Sequence, residues 1–333
     1  MATLSVANPT LLDLAKMTDP DGKIATIIEL LNQTNEILDD ITWIEGNLPT
    51  GHRTTMRAGI PAPTWRKLYG GVQPNKGTTI QVTDSCGMLE AYAEVDKALA
   101  DLAGNTNEFR LQEDRAHLEG MMQEVADTLF LGNETTEPEA FTGFGPRYNS
   151  LSAANAENII DCAGTGTDNT SIWLMVWGPT TVHGIIPKGS KAGWQVNDKG
   201  QVTIENADGA GGRMEAYRTH YRMDAGLCLR DWRYVVRACN IDKSNLTKDA
   251  SGSSADLINV MTRMIELLPD TVTGRPVFYC SRTIRSMLRQ QMVSAVKNST
   301  LSMENIAGRK VLAFDGIPVR RVDRLAADEA RVV

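Results

Sequence analysis

The sequence predicts an α+β fold in which helices and strands segregate instead of alternating. Three observations point there. Helical spacing dominates residues 88–131, short strands with Gly-rich turns take over from about residue 150, and helices return near residues 253 and 281. Regular strand–helix–strand alternation is missing, and so is any internal repeat.

Residues 1–48 carry eight acidic side chains against Lys16 and Lys23. Ile24, Ile27, Ile28, Leu31, Ile37, Leu38 and Ile41 recur near helical spacing, so an acidic arm holding one helix is expected. Residues 51–82 follow, with Arg53, Arg57, Arg66, Lys67 and Lys76 and no Asp or Glu. Its halves break around Gly70–Gly71 and Pro74–Gly77, which suggests an extended hairpin. Leu89, Tyr92, Val95, Leu99 and Leu102 then predict an amphipathic helix stopped by Gly104. Residues 107–131 give the clearest helix: Leu118, Met121, Met122, Val125 and Leu129 form its apolar face. Asn105 to Asn107 offer caps and Gly132 a stop. Its polar face is acidic, with Glu108, Glu113, Asp114, Glu119, Glu124 and Asp127 against Arg110 and Arg115.

Beyond residue 150, "TSIWLMVWG", "TVHGIIP", "GWQVNDKGQVTIEN" and "LRDWRYVVRACNID" read as strands, with a turn at Asp198–Lys199–Gly200. On the last of them Asp231 and Arg233 share a face and can form an ion pair. Trp173, Trp177, Trp194 and Trp232 are expected as core or interface anchors. Two helices follow, "SSADLINVMTRMIELLPD" with Ser N-caps and "SRTIRSMLRQQMVSAVK", whose Arg282, Arg285 and Arg289 share one side, expected as a solvated stripe with contact to phosphate as the alternative. "RKVLAFDGIPVRRVDRL" closes as strand, turn at Asp315–Gly316, strand.

Composition narrows the function classes. A net charge of −7 argues against a surface devoted to nucleic acid or anionic membrane. The first residues lack the basic and apolar regions of a secretion signal. The longest apolar run, Ile172 to Trp177, is far short of the roughly 20 residues that span a bilayer. A soluble, non-secreted chain without a membrane partner is expected. Cys86, Cys162, Cys228, Cys239 and Cys280 are scattered and odd in number, which fits reduced thiols. A metal site needs His partners, and His52, His117, His183 and His220 are far apart in sequence, so no metal is expected. "AGTGTDNT" and "PKGSKAG" lack the phosphate-loop ending and read as surface loops. With no nucleophile elbow, zinc-protease helix or Cys–His signature, neither catalytic nor cofactor-binding residues are assigned and no enzyme is expected.

The basic stretch poses a physical problem. Hairpin arms of about 15 residues reach on the order of 50 Å, whereas a compact body of this length has a radius of gyration of about 20 Å. Trp65, Leu68, Tyr69, Ile80 and Val82 are too few to stabilise such a hairpin alone. It needs a partner surface; the acidic N-terminal arm and the long helix offer one, within the chain or, as the reach favours, on a neighbouring copy.

The order of basic extended loop, "MLEAYAEVDKALADLAG" and long acidic helix resembles the major capsid proteins of short-tailed double-stranded DNA bacteriophages with the Hong Kong 97-type (Johnson) fold. "TSIWLMVWGPTTVHGIIPKGSKAG", "AYRTHYRMDAGLCLRDWRYVVRACNID" and "FDGIPVRRVDRL" extend the resemblance over roughly residues 20–325. It implies an N-terminal arm (1–48), an extended E-loop (49–87) and a P domain (88–150) with spine helix 107–131. An A domain (151–307) and C-terminal strands (308–333) returning to the P domain complete it. It further implies homo-pentamers and homo-hexamers closing an icosahedral shell around non-specifically held double-stranded DNA, in a virion made in the host bacterial cytoplasm. Expected partners are other copies, a scaffolding protein, a portal protein and a cement or decoration protein. Arg53, Arg57, Trp65, Arg66, Lys67 and Lys76 are expected to meet a neighbour's Glu113, Asp114 and Glu119. Lys67 and Lys76 lack the motif of relatives that cross-link covalently. The alternatives are an encapsulin-type compartment shell and a nucleic-acid binder using residues 51–82.

Overall fold

The computed structural model describes residues 33, 35–205, 211–247, 255–293, 301–306, 309–325 and 328–333. Most of the predicted arm helix, including Ile24, Ile27, Ile28 and Leu31, lies outside them. In chain order come α1 (Ile37–Asp40), β1 (Trp43–Glu45), β2 (Gly51–Gly59), β3 (Thr78–Asp96), α2 (Lys97–Leu102), α3 (Thr106–Leu131) and α4 (Phe144–Arg147). Then follow β4 (Ile159–Asp161), β5 (Asn169–Trp177), β6 (Val182–Ile186), β7 (Gln195–Glu205), β8 (Arg213–Leu229) and β9 (Val235–Asp242). Last are α5 (Leu257–Glu266), β10 (Arg275–Cys280), α6 (Arg282–Val293), β11 (Leu301–Ile306), β12 (Arg309–Phe314) and β13 (Ile317–Arg321).

The chain divides into two compact units, Asn35–Gly87 with Asp127–Ser190 and Ala225–Val333 forming the larger. Its centre is β5, paired antiparallel to β9 on one side and β10 on the other. β13 joins β10 in parallel, and β12 and β11 extend that edge. Every residue of β5 is buried, the mark of a strand covered on both faces. Ile172, Leu174 and Val176 face a core built with Val236, Phe278, Met261, Met264 and Leu288. The opposite face presents Trp173 and Trp177 to Phe130, Phe144 and Tyr148, with ring centroids about 6 Å apart. Residues 315–316 join β12 to β13 with both φ values positive, 50° and 76°, as a two-residue type I′ hairpin requires.

The smaller unit includes Met88–Ala126 and Lys191–Asp224. Here β7 pairs antiparallel with β8, and Val95, Leu99, Ala100 and Phe109 form a small core, with a second around Met121 and Tyr221. The predicted apolar face of α3 is borne out by buried Met121 and Val125, and Leu129 is buried too in the part of the helix that belongs to the larger unit.

Four sequence expectations are corrected. Residues 88–96 are strand, and only Lys97–Leu102 is helical. Leu89, Ala91, Ala93 and Val95 turn inward at period two, while Tyr92, read as part of an apolar helix face, is 51% exposed. Asp198–Lys199–Gly200 is a β-bulge in one continuous strand instead of a turn, with Gly200 at φ 67°. Trp232–Tyr234 is a single 3₁₀ turn, because the Asp231 side chain caps the Arg233 amide; the expected Asp231–Arg233 ion pair does form, at 2.7 Å. The helix at 257 is capped by Asp256, not by serines, its carboxylate accepting from the Asn259 amide. In addition, Arg285 leaves the expected solvated stripe and pairs with Glu36 at 3.2 Å.

Candidate functional site

The basic stretch does form a hairpin. β2 and β3 pair from Gly51↔Ser85 to Gly59↔Thr78, with a bulge after Arg57. Pairing stops sooner than expected because Pro61 and Pro63 bring no amide donors. Residues 60–77 contain no strand, and all of 62–69 and 71–81 are exposed. Ile60 (86%), Trp65 (101%), Leu68 (89%) and Tyr69 (101%) stand in solvent together, an arrangement that costs hydrophobic free energy until something covers it. Gly70 closes a local turn by donating to the Lys67 carbonyl at 3.0 Å.

The cations of this hairpin are largely uncommitted. Arg53 donates from Nε to Thr83 Oγ1 at 3.1 Å. Among the described residues Arg57, Arg66, Lys67 and Lys76 make no ion pair, and all four are exposed. The root of the hairpin borders a groove of about 790 Å³, lined by Met56, Arg57, Ile60, Ile80, Arg230 and Trp232 among others.

The acidic counterparts on α3 are half-buried. Asp114 bonds to the Tyr221 hydroxyl, and burial raises its pKa above the usual carboxylate value. Glu119 accepts from the Gln33 amide (3.0 Å) and from Gln123 Nε2 (2.8 Å). These two carboxylates thus already have partners inside their own chain.

In the smaller unit, strand register reveals a charge ladder that the helical reading of residues 88–96 concealed. Glu94 pairs with Arg218 (2.6 Å), while Glu90 meets His220 (3.1 Å) and Arg222 (3.6 Å). Tyr92 stacks on His220, its centroid 4.5 Å away. Opposite charges at alternate positions of two strands are the signal, readable only once both are known to be strands.

The larger unit collects a second group that spacing along the chain did not show. One potential ligand atom each from His52, His183 and Cys228 lies within 4.8 Å of the others. His183 and Cys228 are opposite each other in the β6–β8 ladder, and His52 is opposite Asp84 in β2–β3. Burial, helped by His52 and Arg230, pushes His183 down to about 4, so its ring is neutral. Burial and the Asp84 carboxylate push the Cys228 thiol up. None of the five cysteines is in a disulfide.

A family model described as major capsid protein GP7 matches residues 19–333. Among solved structures, a chain of bacteriophage Epsilon15 determined by cryo-electron microscopy is 38% identical. That match covers 100% of this chain and 99% of the other, with a TM-score of 0.79. The bacteriophage JBD30 capsid is 10% identical over 96% of this chain and 99% of its own, with a TM-score of 0.47. The SrpI encapsulin complex from Synechococcus elongatus is 10% identical over 71% and 96%, with a TM-score of 0.41. No curated protein sequence matches the chain.

Proposed function

The chain belongs to the family of major capsid protein GP7, and from that premise we propose that its basic hairpin is the E-loop by which one copy clasps the next. The protein is a structural component of a bacteriophage capsid with the Hong Kong 97-like fold, and it self-assembles into capsomers of the shell. The family match and the 38% identity both fall on the phage side, which leaves the encapsulin-type alternative with less support.

One observation carries the clasp: Trp65, Leu68 and Tyr69 are exposed together beside four cations that have no partner among the described residues. Residues 49–87 are then the E-loop, 1–48 the arm, 88–150 the P domain with its spine helix, 151–307 the A domain and 308–333 the returning strands. Arg53, Arg57, Arg66, Lys67 and Lys76 meet the acidic α3 face of a neighbour, including Glu113, Asp114 and Glu119, and Trp65 anchors the contact. Copies assemble as pentamers and hexamers around double-stranded DNA, with scaffolding, portal and cement proteins as further partners and synthesis in the host cytoplasm. Charge complementarity fixes register here more than it adds affinity.

Reversing Arg57 and Arg66 to Glu together tests the clasp. Each exposed pair is worth about 0.2–1 kcal/mol, and reversal replaces attraction with repulsion. Sedimentation velocity across a salt series should show assembly of the variant impaired at low salt and partly restored at high salt. Unchanged assembly with unchanged salt sensitivity refutes the charge-based contact.

A further inference from the structure

We propose that His52, His183 and Cys228 form a zinc site that fastens the root of the β2–β3 hairpin to the β6–β8 sheet. Two imidazoles and a thiol are a donor set suited to zinc, whose preference falls on nitrogen and sulfur. Bound at about 2.0–2.1 Å (nitrogen) and 2.3 Å (sulfur), such ligand atoms are roughly 3.3–3.7 Å apart in a tetrahedron. The three atoms here are all within 4.8 Å, so movements of about 1 Å bring them to bonding positions.

The buried side of the group has an unmet need. His183 is 1% exposed, yet its Nδ1 has no hydrogen-bond partner. The Gly178 backbone lies beside this ring, and a backbone contact of that kind can orient a metal-binding histidine. Beside Cys228, Asp84 is 4% exposed; its Oδ1 takes Arg147 Nη1 at 2.8 Å, and the Cys228 thiol hydrogen-bonds to the same carboxylate. A bound cation gives the buried imidazole the partner it lacks. Zinc entry breaks the Cys228 S–H bond, forms a zinc–thiolate bond and releases one proton to solvent. The divalent charge then offsets the thiolate and Asp84, with Arg147 already in place.

His52 completes the set from the hairpin. A neutral imidazole has one acceptor nitrogen, so ligation by His52 replaces the bond its Nδ1 accepts from the Asn47 amide at 3.2 Å. That bond is long for its type and open to water, which can take over the amide. His52 is half-buried, leaving the fourth zinc position to a water molecule.

The test uses the full-length chain, purified as capsomers or shells, dialysed against zinc and analysed for metal. A parallel sample takes cobalt(II) as a spectroscopic substitute. The expected result is one zinc retained per chain, with a thiolate-to-cobalt charge-transfer band and tetrahedral ligand-field absorption. Cys228→Ser should abolish the charge-transfer band, and Cys228→Ser, His183→Ala and His52→Ala should each weaken zinc binding by at least about 100-fold. His117→Ala should bind as the unaltered chain does. If a ligand variant fails to fold, the cobalt spectrum of the unaltered chain still decides. Absence of retained zinc, a spectrum without the thiolate band, or undiminished zinc binding by folded Cys228→Ser overturns the site.

Discussion

Replacing Trp65 with Ala separates folding of one copy from association between copies. The indole is 101% exposed, so truncation removes no buried contact within the chain. Subunit stability should therefore change by no more than about 0.5 kcal/mol. Covering a tryptophan at an interface removes roughly 200 Å² from water, an upper bound of about 5 kcal/mol at ~25 cal/mol per Å². Truncating such an anchor more commonly costs about 2–4 kcal/mol, or roughly 30- to 1,000-fold in the affinity of each clasp. Because every copy contributes one hairpin, the concentration needed for shells should rise steeply. Sedimentation velocity over a concentration series measures that threshold, and thermal unfolding of dissociated subunits measures the folding side. Shells forming at the unaltered concentration, or a melting point lowered by several degrees, would refute the assignment of Trp65 to a contact between copies.

Three further outcomes are expected within the subunit. Glu329→Ala leaves Arg237, 7% exposed and 2.8 Å from its partner, as a buried cation without a carboxylate. Urea denaturation should show a loss of about 3 kcal/mol or more. Gly184→Ala places a methyl 2.5 Å from Trp43 Cε3 and 2.7 Å from Ile41 Cγ2, forcing β1 away from β6. A loss of about 1–3 kcal/mol should appear in the same assay. Burial raises the Asp40 carboxyl above its usual 3.8 despite Arg320, Tyr279 and Arg275. Its stabilising contribution is thus complete below about pH 4 and lost as pH rises through the raised native value. Relative to Asp40→Asn, the unaltered chain should gain stability on acidification through that window; the opposite slope would mean that the arginines outweigh burial.

Much of this was readable in the sequence, for identifiable reasons. The hairpin announced itself through uniform basic charge and sparse apolar content, and α3 through long helical spacing with Asn105 and Gly132 at its ends. Residues 89–95 misled because Leu89 and Val95 satisfy both a helical and an alternating pattern. The deciding evidence is the ladder of Glu90 and Glu94 against β8, which exists only in the folded sheet. Asp198–Gly200 has turn chemistry, but β7 continues through it because β8 supplies a long partner strand. The His52, His183 and Cys228 group had no local signal at all. It is created by the register of β6 on β8 and of β2 on β3, which no window of sequence contains.

The pairing of distant segments in the larger unit also sets an order of events during synthesis. β1 waits for β6, β5 for β10, and the Asn169 carbonyl and Asn240 side chain for the backbones of Glu329 and Val332. Such long-range closure is slow, because chain entropy is lost before the contacts that repay it can form. The strands of the hairpin are complete once residue 96 has been made, long before residue 332 seals the strands behind it. A nascent chain therefore displays Trp65, Leu68 and Tyr69 while its core is still open. Apolar surface exposed before the core closes is the kind that makes folding intermediates prone to aggregate.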